Sequence, residues 1–279
     1  MRDEVDSAIA EGRGQGYGRA SMEEALFPLI LATAKAAGDE ILQVYAQNDL
    51  GVETKADSSP LTEADRRAHD VIVERLDMEF PDIPVLSEES AEIPYEDRKH
   101  WTDFWLVDPL DGTKEFIKRN GEFTVNIALI SQGKPVAGVV YRPVDDVLYF
   151  RAPGGQSYRQ EGTAEPVLLA GAPHYSERDS ITVVASRSHM SQEVTDFVAE
   201  LEAQGKSVAF QAAGSSLKLC LVADGSADIY PRLGPTMEWD TAAAHAVAEG
   251  AGRRVLDWKT REPLLYNKEN LLNPWFVVE

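Results

Sequence analysis

The residues best suited to chemistry in this chain lie in Trp105-Leu106-Val107-Asp108-Pro109-Leu110-Asp111-Gly112-Thr113. An apolar strand runs into two aspartates three positions apart, then a glycine and a threonine. The buried strand holds the backbone rigid and delivers both carboxylates to one place at its end. Gly112 permits a tight turn and leaves room for a ligand to approach the backbone. Hard divalent cations such as magnesium take oxygen ligands of this kind, usually alongside substrate phosphates. A metal-assisted phosphoryl reaction is the chemistry these residues suit.

Three further acidic positions stand at the ends of apolar or helical segments. Asp65 lies in Thr62-Glu63-Ala64-Asp65, Glu88 and Glu89 follow Val85-Leu86-Ser87, and Asp240 lies in Glu238-Trp239-Asp240-Thr241 before an alanine-rich stretch. Each has an ordinary reading: a capping box for Asp65, a solvated loop edge for Glu88-Glu89, a helix N-cap for Asp240. Asp108 with Asp111 resists such a reading, because ending a buried strand on two carboxylates is costly without a cation. Four acidic sites, each following a buried element, favour a metal cluster over coincidence.

The elements that must position them can be read from periodicity. Ser21 caps an amphipathic helix to about Ala46, with Leu26, Ile30, Ala34, Ala37, Ile41, Leu42 and Tyr45 at helical spacing. A short strand follows at 51–54, then a turn cluster, Asp57-Ser58-Ser59-Pro60. Thr62 opens a second helix with Ala68, Val71, Ile72, Arg75 and Leu76 inward, ending at Pro81. Strands are expected at 85–87, 104–107, 122–130, 135–142 and 147–151. This order suggests helices packed on an antiparallel-rich sheet. Residues 152–179 read as a connection. Beyond it, strands at 181–185, 207–211 and 227–230 alternate with helices at 192–203, from Ser215 and from Thr241, which suits an α/β half with parallel strands. The expected organisation is a disordered extension or mis-assigned start (1–20), an N-terminal α+β metal-binding half (21–155) and a C-terminal α/β half that selects the substrate (156–279).

Bulk properties narrow the function. Lys and Arg number 27 against 47 Asp and Glu in 279 residues, a net charge of −20, which argues against nucleic-acid binding. A small anion would need local neutralisation by metal ions or a few Lys and Arg. Cys220, the single cysteine, permits no internal disulfide and fits a reducing cytosol; its apolar setting reads as a buried structural thiol. No apolar run is long enough to span a membrane. The five histidines show no ligand spacing, so no zinc site is expected, and no phosphate-binding Gly-rich loop with Lys-Ser/Thr points to a nucleoside triphosphatase.

Glu88-Glu89 after a strand, Asp108-Pro109-Leu110-Asp111-Gly112-Thr113, and Trp239-Asp240 before a late helix resemble, in the same order, the hallmarks of the lithium-sensitive, magnesium-dependent phosphomonoesterases of the inositol monophosphatase superfamily. The resemblance covers about residues 22 to 279. Leu86 to Glu89, Asp111 to Phe116, Asn120 to Asn126, Gly214 to Lys218, Tyr230 to Arg232 and Trp239 to Ala243 look like the bacterial 3′(2′),5′-bisphosphate nucleotidases of CysQ type. The resemblance implies a layered α-β-α-β-α sandwich with the active site between its halves. It implies hydrolysis of the 3′-phosphate of adenosine 3′,5′-bisphosphate, or of its sulfated precursor, in sulfate assimilation.

It also implies roles. Glu88, Asp108 and the carbonyl of Leu110 would hold one magnesium, and Asp108, Asp111 and Asp240 a second; Glu89 is catalytic from an outer position or helps hold a third ion. Thr113, bonded to Asp65, would orient and activate water, and the amides of Gly112 and Thr113 could bind phosphate oxygens. Glu88, Leu110, Asp111, Gly112, Thr113 and Asp240 would line the substrate site, with Ser215 and Lys218 near the nucleotide and Arg232 on its 5′-phosphate, a group a guanidinium binds bidentately. The expected partner is a small nucleotide, to a cytoplasmic monomer or homodimer. Some relatives are described as peripheral on the cytoplasmic face of the inner membrane, but no basic amphipathic helix here supports that. Competing readings are an inositol or fructose 1,6-bisphosphate phosphatase and a non-catalytic nucleotide-binding regulator. The Gly214–Lys218 segment and Arg232 argue against the first, and the intact set of acidic residues with Thr113 against the second.

Overall fold

The structure is a computed structural model that describes residues 19–54, 60–90, 93–152, 155–171, 173–185 and 191–279. In chain order its elements are α1 (Arg19–Tyr45), β1 (Glu53–Thr54), β2 (Pro60–Leu61), α2 (Glu63–Glu79), β3 (Val85–Ser87), α3 (Tyr95–Arg98), β4 (Asp103–Asp111), α4 (Thr113–Ile117), β5 (Thr124–Ser131), β6 (Lys134–Arg142), β7 (Val147–Arg151), β8 (Ser157–Glu161), β9 (Val167–Leu168), β10 (Ser180–Val184), α5 (Gln192–Ala203), β11 (Ser207–Gln211), α6 (Leu217–Ala223), β12 (Tyr230–Arg232), α7 (Ala242–Gly250), β13 (Val255–Asp257) and β14 (Phe276–Val278).

Strand β4 explains the layering. Its side chains alternate with a period of two, so Trp105 and Val107 enter one core while Phe104 and Leu106 enter another. Strands β5, β6 and β7 do the same: Ile127, Val139 and Leu148 lie on the first side, Ala128, Val140 and Val147 on the second. The seven-stranded sheet, in order β3 to β9, is therefore covered on both faces. Helices α1 and α2 cover one, α6 and α7 the other. Strands β12, β14 and β13 pack beyond α6 and α7 through Tyr230, Phe276 and Val255. Their far side, with Ile181 and Val183 of β10, meets Val198 and Leu201 of α5 in a third core. The result is the expected α-β-α-β-α sandwich. Within the large sheet only β3 and β4 run parallel; the other pairings are antiparallel.

Several local expectations are corrected. Helix α1 begins at Arg19, before Ser21 and inside the stretch expected to be disordered; residues 1–18 lie outside the described residues, as does most of the Asp57-Ser58-Ser59-Pro60 turn. Arg75 is exposed, because a guanidinium stays in water unless paired, while Ala68, Ile72 and Leu76 are buried as expected. Strand β4 does not stop at Val107 but runs through Asp108 and Pro109 to Asp111, with a register shift between Asp108 and Asp111 where the proline interrupts the ladder. The region 152–179 is more than a connection: β8 and β9 extend the sheet, and Ser157–Glu161 reads as polar because it lies near an edge, with most of its residues half-buried. In the C-terminal half β10 and β11 pair in parallel, but β14 is antiparallel to both neighbours.

Helix α7 lies against β6 with little to spare. Ala242 to Ala248 are all buried, and a Cβ placed on Gly138 of β6 would lie 2.6 Å from the Ala243 carbonyl oxygen and 3.0 Å from its Cα. Both contacts are backbone, so the helix itself would have to move. Gly138→Ala should therefore destabilise the protein by about 1–3 kcal/mol in denaturant unfolding. It should also disturb Asp240, two residues before α7. Unchanged stability would show that the helix has room this geometry denies it.

Candidate active site

The sheet's second face ends in polar residues where its apolar residues run out. Phe104 and Leu106 face the core shared with α6 and α7, and Asp108 follows with the same parity. Asp108 is 1% exposed, and its Oδ1 accepts the amide of Leu110 at 3.1 Å. Asp111 ends the strand, and its Oδ2 accepts the amide of Ser216 at 2.5 Å and Asn126 Nδ2 at 3.4 Å. Asp240 does not cap α7; Thr241 holds the N-cap position without a side-chain cap bond, and Asp240 Oδ2 accepts the amide of Met237 at 2.8 Å. Glu88 and Glu89 lie half-buried in a 3-10 turn directly after β3.

Asp65 makes both the capping box and the bond to Thr113. Its Oδ2 closes a capping box, accepting the Thr62 amide at 2.7 Å and the Thr62 hydroxyl at 2.5 Å. Its Oδ1 accepts the Thr113 hydroxyl at 3.3 Å, which also lies 3.4 Å from the Leu110 carbonyl. The cap thus fixes one oxygen and aims the other at Thr113. Thr113 stands just beyond β4 because Gly112 takes a left-handed φ of +92°. A Cβ at Gly112 would lie 2.2 Å from Ser215 Oγ, so the turn is both conformationally and sterically reserved for glycine.

The electrostatics are dominated by burial and like charge. Burial raises the Asp108 carboxyl well above its ordinary value, and Glu88, Asp111, Asp240 and Asp65 push it further. Burial and Asp111 raise Asp240, against the amide of Met237 and the charge of Arg232. Burial also raises Asp111, while Lys218 and the Ser216 amide oppose it. Asp65 is pushed up to about 6, mainly by burial, against its bonds from Thr62. Two like charges about 5 Å apart at an effective dielectric of about 20 repel by roughly 3 kcal/mol, more than the roughly 1 kcal/mol net of a typical hydrogen bond.

The donor set therefore fits a hard divalent cation: oxygen ligands only, acidic, and short of positive charge. Among the described residues no three acidic, histidine or cysteine groups already stand around one point as ligands. The amide bonds to Asp111 and Asp240 account for part of that, since each holds one oxygen toward backbone. Glu88, Asp108, Leu110, Asp111 and Asp240 are the residues that could hold the metal.

A cleft of about 680 Å³ opens beside the carboxylates. Asp111, Gly112, Ser215, Lys218, Arg232 and Asp240 line it, together with Lys114, Lys118 and Glu122. Lys218 Nζ bonds the Ser215 carbonyl at 2.9 Å, and Arg232 Nη2 the Pro235 carbonyl at 2.8 Å. Ser215 is less free than expected, because its hydroxyl lies 2.9 Å from the Asp111 carbonyl and 2.7 Å from that of Glu122. Sequence reasoning missed Asn126 and Ser216. The signal for Asn126 was available, since it is a buried amide in an otherwise apolar strand and pairs with Asp108 in register. Of the helical histidines, His245 is buried against the Tyr266 hydroxyl and His69 bonds Ser87, both structural contacts.

The model of the inositol monophosphatase family matches residues 22–275, and the chain belongs to that family. Within it, the chain is 51% identical over 247 residues to the 3′(2′),5′-bisphosphate nucleotidase CysQ of Salmonella typhimurium, covering 88% of this chain and 96% of the relative. Its identity to the Escherichia coli K12 protein of the same name is also 51%, over 248 residues, with the same coverage. The crystal structure of CysQ from Bacteroides thetaiotaomicron matches with a TM-score of 0.78 at 46% identity, covering 90% of this chain and 96% of that one. SaIMPase-II, solved with 2′-AMP bound, shares the fold at a TM-score of 0.70 and 24% identity. These relationships make the chain a phosphatase. Among the described residues no helix is long and apolar enough to cross a membrane.

The raised carboxyls give the metal-free protein a distinctive pH response. The folded chain retains protons that unfolded carboxyls release near pH 4, so the stability from the neutral forms is complete below that pH and is lost as pH rises through the folded values. In chelator the melting temperature should fall between about pH 5 and 8, and magnesium should flatten the decline. Asp240→Asn should raise the metal-free melting temperature near pH 8 and shrink the stabilisation by magnesium. A flat profile in chelator would show that these carboxylates do not oppose one another.

Proposed function

We propose that this chain is a magnesium-dependent 3′(2′),5′-bisphosphate nucleotidase that hydrolyses the 3′-phosphate of adenosine 3′,5′-bisphosphate to AMP and phosphate. Its sulfated analogue would be a second substrate, and the setting would be sulfate assimilation in the cytosol. The observation that carries this reading is a cleft lined by Asp111 and Asp240 on one side and by Lys114, Lys118, Lys218 and Arg232 on the other, with Asp108 and the Asp65–Thr113 pair in the same strand-end cluster of acids. The likeness to nucleotidases over 88–90% of the chain supports the choice of substrate over inositol or sugar phosphates.

Two or three magnesium ions, held by Glu88, Asp108, Asp111, Asp240 and the Leu110 carbonyl, would neutralise the phosphate and acidify water when bound. The chain's own contribution is positional. Thr113 Oγ1 already gives its proton to Asp65 Oδ1, so as it takes a proton from an attacking water its own passes to Asp65. An Asp65 pKa of about 6 leaves the carboxylate ionised at neutral pH yet basic enough to receive that proton. Glu89 would act from beside this pair, since its charge helps raise Asp65. Water attacks directly, so no phosphoenzyme forms. Lys218 and Arg232 would bind the nucleotide, with Arg232 on the 5′-phosphate, while Ser215 would contribute through the loop it fastens. Lithium inhibition is expected from the family.

The test is phosphate release from adenosine 3′,5′-bisphosphate, inositol 1-phosphate and fructose 1,6-bisphosphate, with and without magnesium and lithium. Strong preference for the nucleotide, abolished by chelation and reduced by lithium, is the expected result. Asp108→Asn should remove turnover, and Arg232→Ala should raise KM for the bisphosphate far more than for a nucleoside monophosphate. Preference for a sugar phosphate would overturn the roles of Lys218 and Arg232, and an active Asp108→Asn would overturn the metal assignment.

A further inference from the structure

A buried polar chain behind Asp111 has no part in the mechanism above. Asn126, Ser216 and Thr124 are at most 1% exposed. Ser216 Oγ bonds Asn126 Oδ1 at 2.9 Å and lies 2.9 Å from Thr124 Oγ1. Asn126 Nδ2 then reaches Asp111 Oδ2 at 3.4 Å, and the Ser216 amide reaches the same oxygen at 2.5 Å. Buried polar groups cost free energy unless paired, and an apolar trio would complete this core more cheaply. The network orders Asn126 as well: with its Oδ1 occupied by the Ser216 hydroxyl, its Nδ2 must point at Asp111.

We propose that Asn126 and Ser216 are positioning residues that occupy Asp111 Oδ2 with two N–H donors and so leave Oδ1 as the one oxygen Asp111 offers a bound cation. The proposal rests on the reading of Asp111 as a metal ligand. It also gives the link a consequence across the molecule. Asn126 belongs to β5 of the large sheet and Ser216 stands at the N-terminal boundary of α6 in the C-terminal half. The ligand is therefore aimed only when the two halves are docked. Partners of this kind hold a ligating carboxylate in one orientation, and their loss typically weakens metal binding 10- to 100-fold.

The experiment is calorimetric titration of Mn2+, an ion of the same oxygen preference as magnesium, into metal-free wild type, Asn126→Leu and Ser216→Ala, without substrate. Asn126→Leu should bind Mn2+ about tenfold more weakly or worse. The magnesium concentration for half-maximal phosphate release should rise by the same factor, while KM at saturating magnesium changes less than about twofold. Ser216→Ala keeps the backbone amide on Asp111 and should lose less, about threefold. Variants that melt at lower temperature but bind Mn2+ like wild type would overturn the proposal and mark the network as purely structural. If Asn126→Leu does not fold, the Ser216→Ala affinity decides alone by the same criterion. Failure of wild type to bind Mn2+ would remove the metal site itself, a result distinguishable from failure of the variants alone.

Discussion

The burial of several carboxylates close to one another is the constraint that organises this molecule. Burial raises the proton affinity of Asp108, Asp111 and Asp240, and neighbouring acids add to it, Glu88 for all three, Asp111 for Asp108 and Asp240, and Asp240 for Asp108; hydrogen bonds of about 1 kcal/mol each do not offset several such repulsions. A chain left to itself would spread these charges into water. Holding them together requires stiff elements anchored by apolar burial, and the supports here are of that kind: a strand buried on both faces behind Asp108, a tightly packed alanine helix behind Asp240, and a capped helix behind Asp65.

The supports come from both halves of the sandwich, so the seam between them has to close tightly. Glycine and serine do this. A Cβ on Gly214 would lie 2.7 Å from the Glu122 carbonyl, and one on Gly112 would overlap the Ser215 hydroxyl. Ser215, itself at a φ of +51°, spends its hydroxyl on the carbonyls of Asp111 and Glu122. Ser215, expected near the nucleotide, thus has its hydroxyl engaged by two backbone carbonyls. The next residue, Ser216, is left to reach Asp111 with its amide.

What could be read from the sequence follows from this division of labour. Carboxylates at the ends of apolar segments are visible because they contradict their surroundings, and strand β3, helix α5 and strand β11 match their expected limits because their patterns are strong and local. The legible parts of the site are those in contiguous motifs: Asp65 with Thr62, Asp108 to Thr113, and Asp240. Strand β8 is not legible because most of its residues are polar, and β13 and β14 because three residues are too few to show a period. Nor is the Ser216–Asn126–Asp111 link, whose members are 90 and 105 residues apart and meet only through the docking of α6 on β5.

The same economy accounts for an acidic protein acting on an acidic substrate. With a net charge of −20 the overall field opposes a bisphosphate, so attraction has to be local. The cleft places Lys114, Lys118, Lys218 and Arg232 beside the carboxylates, and two of these cations also lower the proton affinity of the acids next to them, Lys218 for Asp111 and Arg232 for Asp240. On the proposed reading each charged component relieves the others. Cations make the carboxylates affordable, the ionised carboxylates gather metal, and metal with the cleft's lysines and arginine makes the phosphates acceptable. Metal and substrate then bind with positive coupling, each raising the other's affinity by the same factor, as linkage requires. A protein built this way holds its site weakly when empty and firmly when full, which places the strain in the state that is waiting for substrate.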